Sequence, residues 1–249
     1  MEFKQKLEKI PRAYNGLPSV TSILDVLEDP LYIRKWKESA EDPATVELVL
    51  TNARQRGTYV HLVASDYYRR NELNYDSESL TKYREKYGLP EFDMKVTKFL
   101  NGLNKFIAQE DVVPVAVEES FAIQELGYAG SPDLIGFFRG KLSILDWKTS
   151  SSSRIDEGSL FKYWLQLAAY ASMWNHLHPD QRIEQLVIVP LTASRTSGLG
   201  EIEIISDVKI IQSYFFQFLE CKDKFFKLWP LNPSYPQVEE LIGANKIED

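Results

Sequence analysis

Residues 131–149 read Ser131-Pro132-Asp133-Leu134-Ile135-Gly136-Phe137-Phe138-Arg139-Gly140-Lys141-Leu142-Ser143-Ile144-Leu145-Asp146-Trp147-Lys148-Thr149. Two apolar runs flank Arg139-Gly140-Lys141, and Gly140 there reads as a hairpin turn between antiparallel strands. Side chains alternate faces along a strand. Asp146 and Lys148 therefore share a face, and Trp147 points to the other. Proline fits a strand start or a bulge and not a central ladder. Gly130-Ser131-Pro132 thus reads as a turn that brings in Asp133, with 12 residues between it and Asp146. Upstream, 114–124 reads as a third strand, with Val115, Val117, Phe121 and Ile123 on one face. Glu118 falls on the opposite face with Ala116, Ser120 and Ala122. Three antiparallel strands are then expected to carry Glu118, Asp133, Asp146 and Lys148 toward one edge. Glu119 is the alternative to Glu118, and strand parity favours Glu118.

That set of groups has a chemical meaning. Carboxylate oxygens suit hard divalent cations such as Mg²⁺ or Mn²⁺. A bound cation lowers the pKa of water and shields phosphate oxygens. Asp133 and Asp146 are expected as direct ligands, and Glu118 as a ligand or as the holder of a metal-bound water. Lys148 would orient the attacking water or stabilise developing charge. The expectation is a metal-dependent phosphodiesterase, a nuclease. The alternative is a structural ion pair between Asp146 and Lys148. Against it, acidic residues are depleted from strands and rarely buried without partners, and these lie beside core-like Leu134-Ile135 and Ile144-Leu145.

Working outward, the first half reads as helical. Ser19 or Thr21 can cap a short helix through Leu27, and another runs near 31–39. Pro43 can start a long helix through Arg70. Further helices are expected around 78–87 and 91–110. After the strands of 112–148, a polar loop over 149–158 leads to a helix over 159–176. Residues 184–191 and 201–205 read as strands, with a turn or mobile loop over 192–200 between them. A last helix covers about 207–228. Helices, three strands, helix, two strands and helix make an α/β fold with a mixed central sheet. The expected division is a helical part over 1–110 that walls the site, a core over 111–229 and an extended tail over 230–249, in one compact domain.

At Pro132-Asp133 followed by Asp146-Trp147-Lys148, the sequence resembles the PD-(D/E)XK nuclease superfamily, whose fold is restriction-endonuclease-like. Gln166-Leu167-Ala168-Ala169-Tyr170 resembles the Gln-x-x-x-Tyr motif of the RecB-like exonuclease branch. Arg56-Gly57-Thr58-Tyr59-Val60-His61 resembles the upstream Gly-x-x-x-His motif of that branch. Segment by segment the likeness is to the mitochondrial genome-maintenance exonuclease family and its phage and bacterial relatives, over roughly 17–228. The resemblance implies a catalytic core of Glu118, Asp133, Asp146 and Lys148. It implies His61 and the Trp147 backbone carbonyl as further metal ligands. Gln166 and Tyr170 would position DNA or the lysine region, and their i, i+4 spacing puts both on one helical face. Some RecB-like nucleases hold an iron–sulfur cluster on four cysteines. With Cys221 as its single cysteine, this chain has no such cluster.

Net charge is −7, from 29 basic and 36 acidic residues. A non-specific DNA coat would be basic, whereas a nuclease needs only a local basic path. Arg54 and Arg56, nearest His61, are the expected phosphate contacts, with Tyr59, Thr149 and Ser150. Tyr59, Tyr67, Tyr68 and Trp36 are candidates to stack bases. No run of 18 uncharged apolar residues exists, so no membrane helix is expected. One cysteine excludes an intrachain disulfide and fits a reducing cytoplasm, and the origin reads as phage or microbial. The leading expectation is an exonuclease on single-stranded DNA or flaps in replication, recombination or repair, with replication or recombination proteins as partners. A structure-specific endonuclease, an RNA nuclease and an inactive DNA-binding module are the competitors.

Overall fold

Arg139 and Gly140 adopt φ of +50° and +80°, the left-handed conformation by which a two-residue turn matches strand twist. In this computed structural model they close the hairpin between β6 (Leu134–Phe138) and β7 (Lys141–Ser150). The structure describes residues 13–14, 16–27, 29, 31–40, 42–70, 77–91, 93–152 and 154–228. The tail expected over 230–249 lies outside them.

Among the described residues the chain begins with β1 (Ala13–Tyr14), β2 (Leu17–Pro18), α1 (Val20–Leu24) and α2 (Leu31–Ser39). Next come α3 (Pro43–Arg70), α4 (Ser77–Tyr87) and α5 (Met94–Gln109). The strands β3 (Val112–Val117), β4 (Phe121–Ile123) and β5 (Tyr128–Gly130) precede the β6–β7 hairpin. The order ends with α6 (Glu157–Leu177), β8 (Gln185–Thr192), β9 (Glu203–Ile205) and α7 (Val208–Leu228). The central sheet runs β3-β6-β7-β8-β9. Its β7–β8 pair is parallel and its other pairs are antiparallel, so it is mixed, with α6 as the crossover that a parallel pair requires.

Both faces of the sheet are covered. Leu142 and Ile144 of β7 enter a core with α1, α6 and α7. Leu145 and Trp147 enter a second core with α3 and α5. That double cover accounts for β8 being buried along its whole length. Asp146 and Lys148, two residues apart, fall on the α6 side. Of the first-half helices, α3, α4 and α5 share the second core with the strands, and α1 joins the first. Ser19, one of the two expected caps, accepts from the Ser22 amide; Asp93 accepts from Lys95 and Val96 and Asp156 from Ser159, which set those helix starts at Met94 and Glu157, not at 91 and 159.

One expectation of the fold is corrected. The strand expected over 114–124 is two strands. β3 ends at Val117, and β4 pairs with β5 in a separate two-stranded sheet. Pro114 has no amide hydrogen for the ladder, and the register shifts between Pro114 and Ala116. Glu118 then turns the chain with φ of +49°. As a result Val115 does not join the core with Phe121 and Ile123; it is 44 % exposed, and Val113 is 55 % exposed. Of the two readings of 192–200, a turn or a mobile loop, the structure has the turn, and hydrogen bonds hold it. The Thr192 amide donates to the Gly198 carbonyl (2.7 Å), the Gly200 amide to Pro190 (2.7 Å) and Lys98 Nζ to the Ala193 carbonyl (2.9 Å).

Candidate active site

The end of β7, the start of β6, the turn after β3, the middle of α3 and the second and third turns of α6 converge on one point. Asp133 stands where the chain enters β6. Its Oδ2 accepts the Trp147 backbone N–H at 2.9 Å, which ties the two hairpin strands together at the site. Its Oδ1 lies 3.2 Å from His61 Nδ1. Glu118 Oε1 lies 3.8 Å from the same nitrogen. The strand break aims Glu118 there: its amide donates to the Asp133 carbonyl at 3.0 Å, and Arg69 Nη2 donates to the preceding Val117 carbonyl at 3.0 Å. Glu119 is exposed to solvent.

Asp146 is 1 % exposed, and Lys148 Nζ lies 2.7 Å from its Oδ2. One amide links this pair to α6. Gln166 Oε1 accepts from Lys148 Nζ (3.2 Å), and Gln166 Nε2 donates to Asp146 Oδ1 (3.5 Å) and to the Tyr170 hydroxyl (3.2 Å). Tyr170 packs over Gly130, where a Cβ would come within 2.5 Å of the ring. A glycine at that position is what lets α6 lie so close to β5.

The electrostatics follow from burial and crowding. Burial opposes a charge on His61, but Asp133, with Glu118 and Asp146, outweighs it and raises the imidazole pKa to about 10. Burial acts to raise the Asp133 pKa, yet His61, Lys148 and the Trp147 amide hold it below the usual carboxylate range. Burial pushes Asp146 up to about 6, with Asp133 adding to the rise, and Lys148 offsets only part of it. Burial opposes the Lys148 charge too, and Asp146 and Asp133 overcome it and raise its pKa.

These residues fit a divalent cation. His61, Glu118 and Asp133 each offer one ligand atom, all within 4.8 Å of one another. Three carboxylates with one imidazole form a mostly oxygen donor set, suited to Mg²⁺ or Mn²⁺. Asp146 Oδ2 is buried without a well-aligned hydrogen bond despite the nearby ammonium. Three carboxylates so close repel one another, and Lys148 alone leaves Asp146 poorly compensated.

The expected nucleic-acid contacts separate. Arg54 is exposed and faces Glu47 at 3.4 Å, while Arg56 Nε donates to Asp93 at 2.7 Å. Thr149 is half-buried opposite Gly57 of α3, one turn before His61. Ser150 Oγ accepts the Ser152 amide, and its carbonyl accepts the Ala193 amide. Tyr59 is corrected: it is 1 % exposed and its hydroxyl donates to the Pro90 carbonyl, so it builds the core and meets no base. Tyr68 is buried as well, stacked on Trp147 with centroids 5.9 Å apart. Trp36 remains partly exposed. One neighbour of the site escaped sequence reading. Tyr163, one turn before Gln166, places its ring 4.5 Å from Lys148 Nζ; the available signal was its i−3 position relative to Gln166.

Comparison with known proteins follows the same lines. The human mitochondrial genome maintenance exonuclease 1 is 26 % identical over 175 residues, which cover 68 % of this chain and 46 % of that protein. Its mouse counterpart is 27 % identical over 174 residues, covering 68 % and 47 %. The chain spans about half the length of the curated relatives it matches. Among solved structures, an exonuclease assigned in Eubacterium rectale gives a TM-score of 0.49 at 12 % identity, covering 98 % of this chain and 88 % of its own. An alkaline exonuclease from Laribacter hongkongensis gives 0.31 at 14 % identity, covering 68 % and 89 %. Residues 32–213 match the PD-(D/E)XK nuclease superfamily over most of the 249-residue chain, and the chain belongs to that superfamily.

Proposed function

We propose that this protein is a metal-dependent DNA exonuclease that hydrolyses phosphodiester bonds of single-stranded DNA or flaps during replication, recombination or repair. The observation that carries the reading is the gathering of His61, Glu118 and Asp133 ligand atoms within 4.8 Å, beside a lysine held 2.7 Å from Asp146. His61, Glu118, Asp133, Asp146 and the Trp147 carbonyl would hold one or two Mg²⁺ or Mn²⁺ ions. When bound, such an ion activates water and neutralises the phosphate. Lys148 orients the attacking water and meets the charge that gathers on the phosphate oxygens. Gln166 holds Lys148 and Asp146 in register, and Tyr170 holds Gln166. Arg54, Arg56, Thr149 and Ser150 would contact the nucleic-acid strand, with the helices α3, α4 and α5 as the wall that admits a free end. The name of the human and mouse relatives supports the exonuclease reading. Replication or recombination proteins would be its partners, in an intracellular compartment that contains DNA. Among the described residues no helix is long and apolar enough to cross a membrane.

The test is cleavage of end-labelled single-stranded DNA, duplex DNA, a flap and RNA with Mg²⁺, Mn²⁺ or EDTA. Shortening from one end that needs metal and is lost in Lys148→Ala supports the exonuclease. Internal cuts point to an endonuclease, and binding without cleavage under any metal sinks the enzymatic reading.

A further inference from the structure

The Gln-x-x-x-Tyr pair belongs to a longer stripe on α6. Ser159, Tyr163, Gln166 and Tyr170 are spaced i, i+4, i+7 and i+11 and share a helical face. Gln166 and Tyr170 belong to the motif that the sequence displays; Tyr163 does not. Its ring nonetheless meets the lysine of the site. Lys148 Nζ lies 4.5 Å from the Tyr163 centroid, within the range of a cation–π contact. The other contacts of that ammonium are Asp146 Oδ2 at 2.7 Å and Gln166 Oε1 at 3.2 Å. Lysine has a flexible four-carbon stem and a point charge without built-in direction. Two oxygens leave such an ammonium free to pivot, and an aromatic face on a third side removes that freedom. The ring is itself fixed. Tyr163 packs against the core under α6, the Ser159 side chain lies against its hydroxyl, and Asp156 caps the helix directly before them.

We propose that Tyr163 is a positioning residue of this nuclease, whose ring face holds the Lys148 ammonium at the angle the reaction needs. Its kinetic consequence rests on the proposed nuclease function; its structural content does not. The required group is the aromatic face and not the phenol oxygen. Misplacement of a reacting group by about 1 Å can cost up to about 10²-fold in rate.

Two readouts on the full chain test this, with Tyr163→Phe and Tyr163→Leu. In the proton–nitrogen correlation spectrum of the lysine ammonium groups, the Lys148 signal is assigned by its loss in Lys148→Ala. A proton above a ring face is shifted upfield, so that signal should be displaced upfield in wild type and in Tyr163→Phe. It should return toward the other lysines in Tyr163→Leu. In cleavage assays Tyr163→Leu should lower kcat by about 10-fold to 10²-fold with KM unchanged, and Tyr163→Phe should restore most of the rate. A Lys148 signal at the ordinary lysine position in wild type overturns the proposal, even if Tyr163→Leu does not fold. So does a phenylalanine variant as slow as leucine, which would assign the effect to the hydroxyl. A leucine variant with raised KM and intact kcat also overturns it, making the ring a contact for nucleic acid. A wild-type protein that cleaves nothing defeats the nuclease function, and the spectrum still decides where the ring stands.

Discussion

Lys148 is a charged side chain held between two oxygen partners and an aromatic ring in a place where water is scarce, so each partner counts for more than it would at the surface. Removing the ammonium leaves Asp146 buried and facing Asp133 without its nearest cation. Lys148→Ala should therefore lower kcat by about 10²–10³-fold and leave nucleic-acid binding close to wild type. Single-turnover cleavage beside a binding titration measures both, and an active variant would remove Lys148 from the chemistry. Tyr59 makes the opposite case at the same scale. It lies two residues before His61, but its ring is in the core and its hydroxyl donates to the Pro90 carbonyl. Tyr59→Phe should cost about 0.5–1.5 kcal/mol of stability, the net value of one hydrogen bond, with affinity for nucleic acid unchanged. Urea denaturation and a binding titration check it. A loss of affinity at full stability would return Tyr59 to the contact surface.

At the scale of elements, what could be read in the sequence was what neighbours along the chain decide. The β6–β7 hairpin follows from Gly140 and two apolar runs, and the shared face of Asp146 and Lys148 from strand alternation. α3 starts at Pro43 because a proline suits the first helical turn. The break after Val117 was not legible, because distant groups set it: the Asp133 carbonyl takes the Glu118 amide, and Arg69 takes the Val117 carbonyl. Parity favoured Glu118 on the premise of an unbroken strand, whereas it is the turn at Glu118 that brings its carboxylate to 3.8 Å from His61. The fixed turn after β8 was hidden for the same reason. Its glycine content reads as freedom, yet Gly198, at φ of +72°, lies against Lys98 and Gly102 of α5, with no room for a Cβ. Gly198→Ala would combine a left-handed conformation with a backbone collision. We expect it to destabilise the fold by about 1–3 kcal/mol, and an unchanged denaturation midpoint would show that the turn and α5 can separate.

For the whole molecule, the site is a concentration of like charge at the join of the two cores, where β7 carries Trp147 into one and Asp146 toward the other. Glu118, Asp133 and Asp146 come from three segments that only the folded sheet brings together. An unfolded chain has no comparable set of donors, so a divalent ion should bind the native state alone and stabilise it. At a free ion concentration of 100 times its Kd, that linkage contributes about 2.7 kcal/mol. For a chain of this size each kcal/mol moves Tm by about 2–4 °C. Mg²⁺ or Mn²⁺ should then raise Tm by about 5–10 °C over EDTA, whether or not a substrate is known. Asp133→Ala removes a proposed ligand and should abolish most of that rise. The comparison separates binding at the site from general screening, since added salt acts on both proteins alike. An equal rise in the variant would mean that the ion stabilises the protein elsewhere, and the cluster of His61, Glu118 and Asp133 would lose its claim to the metal.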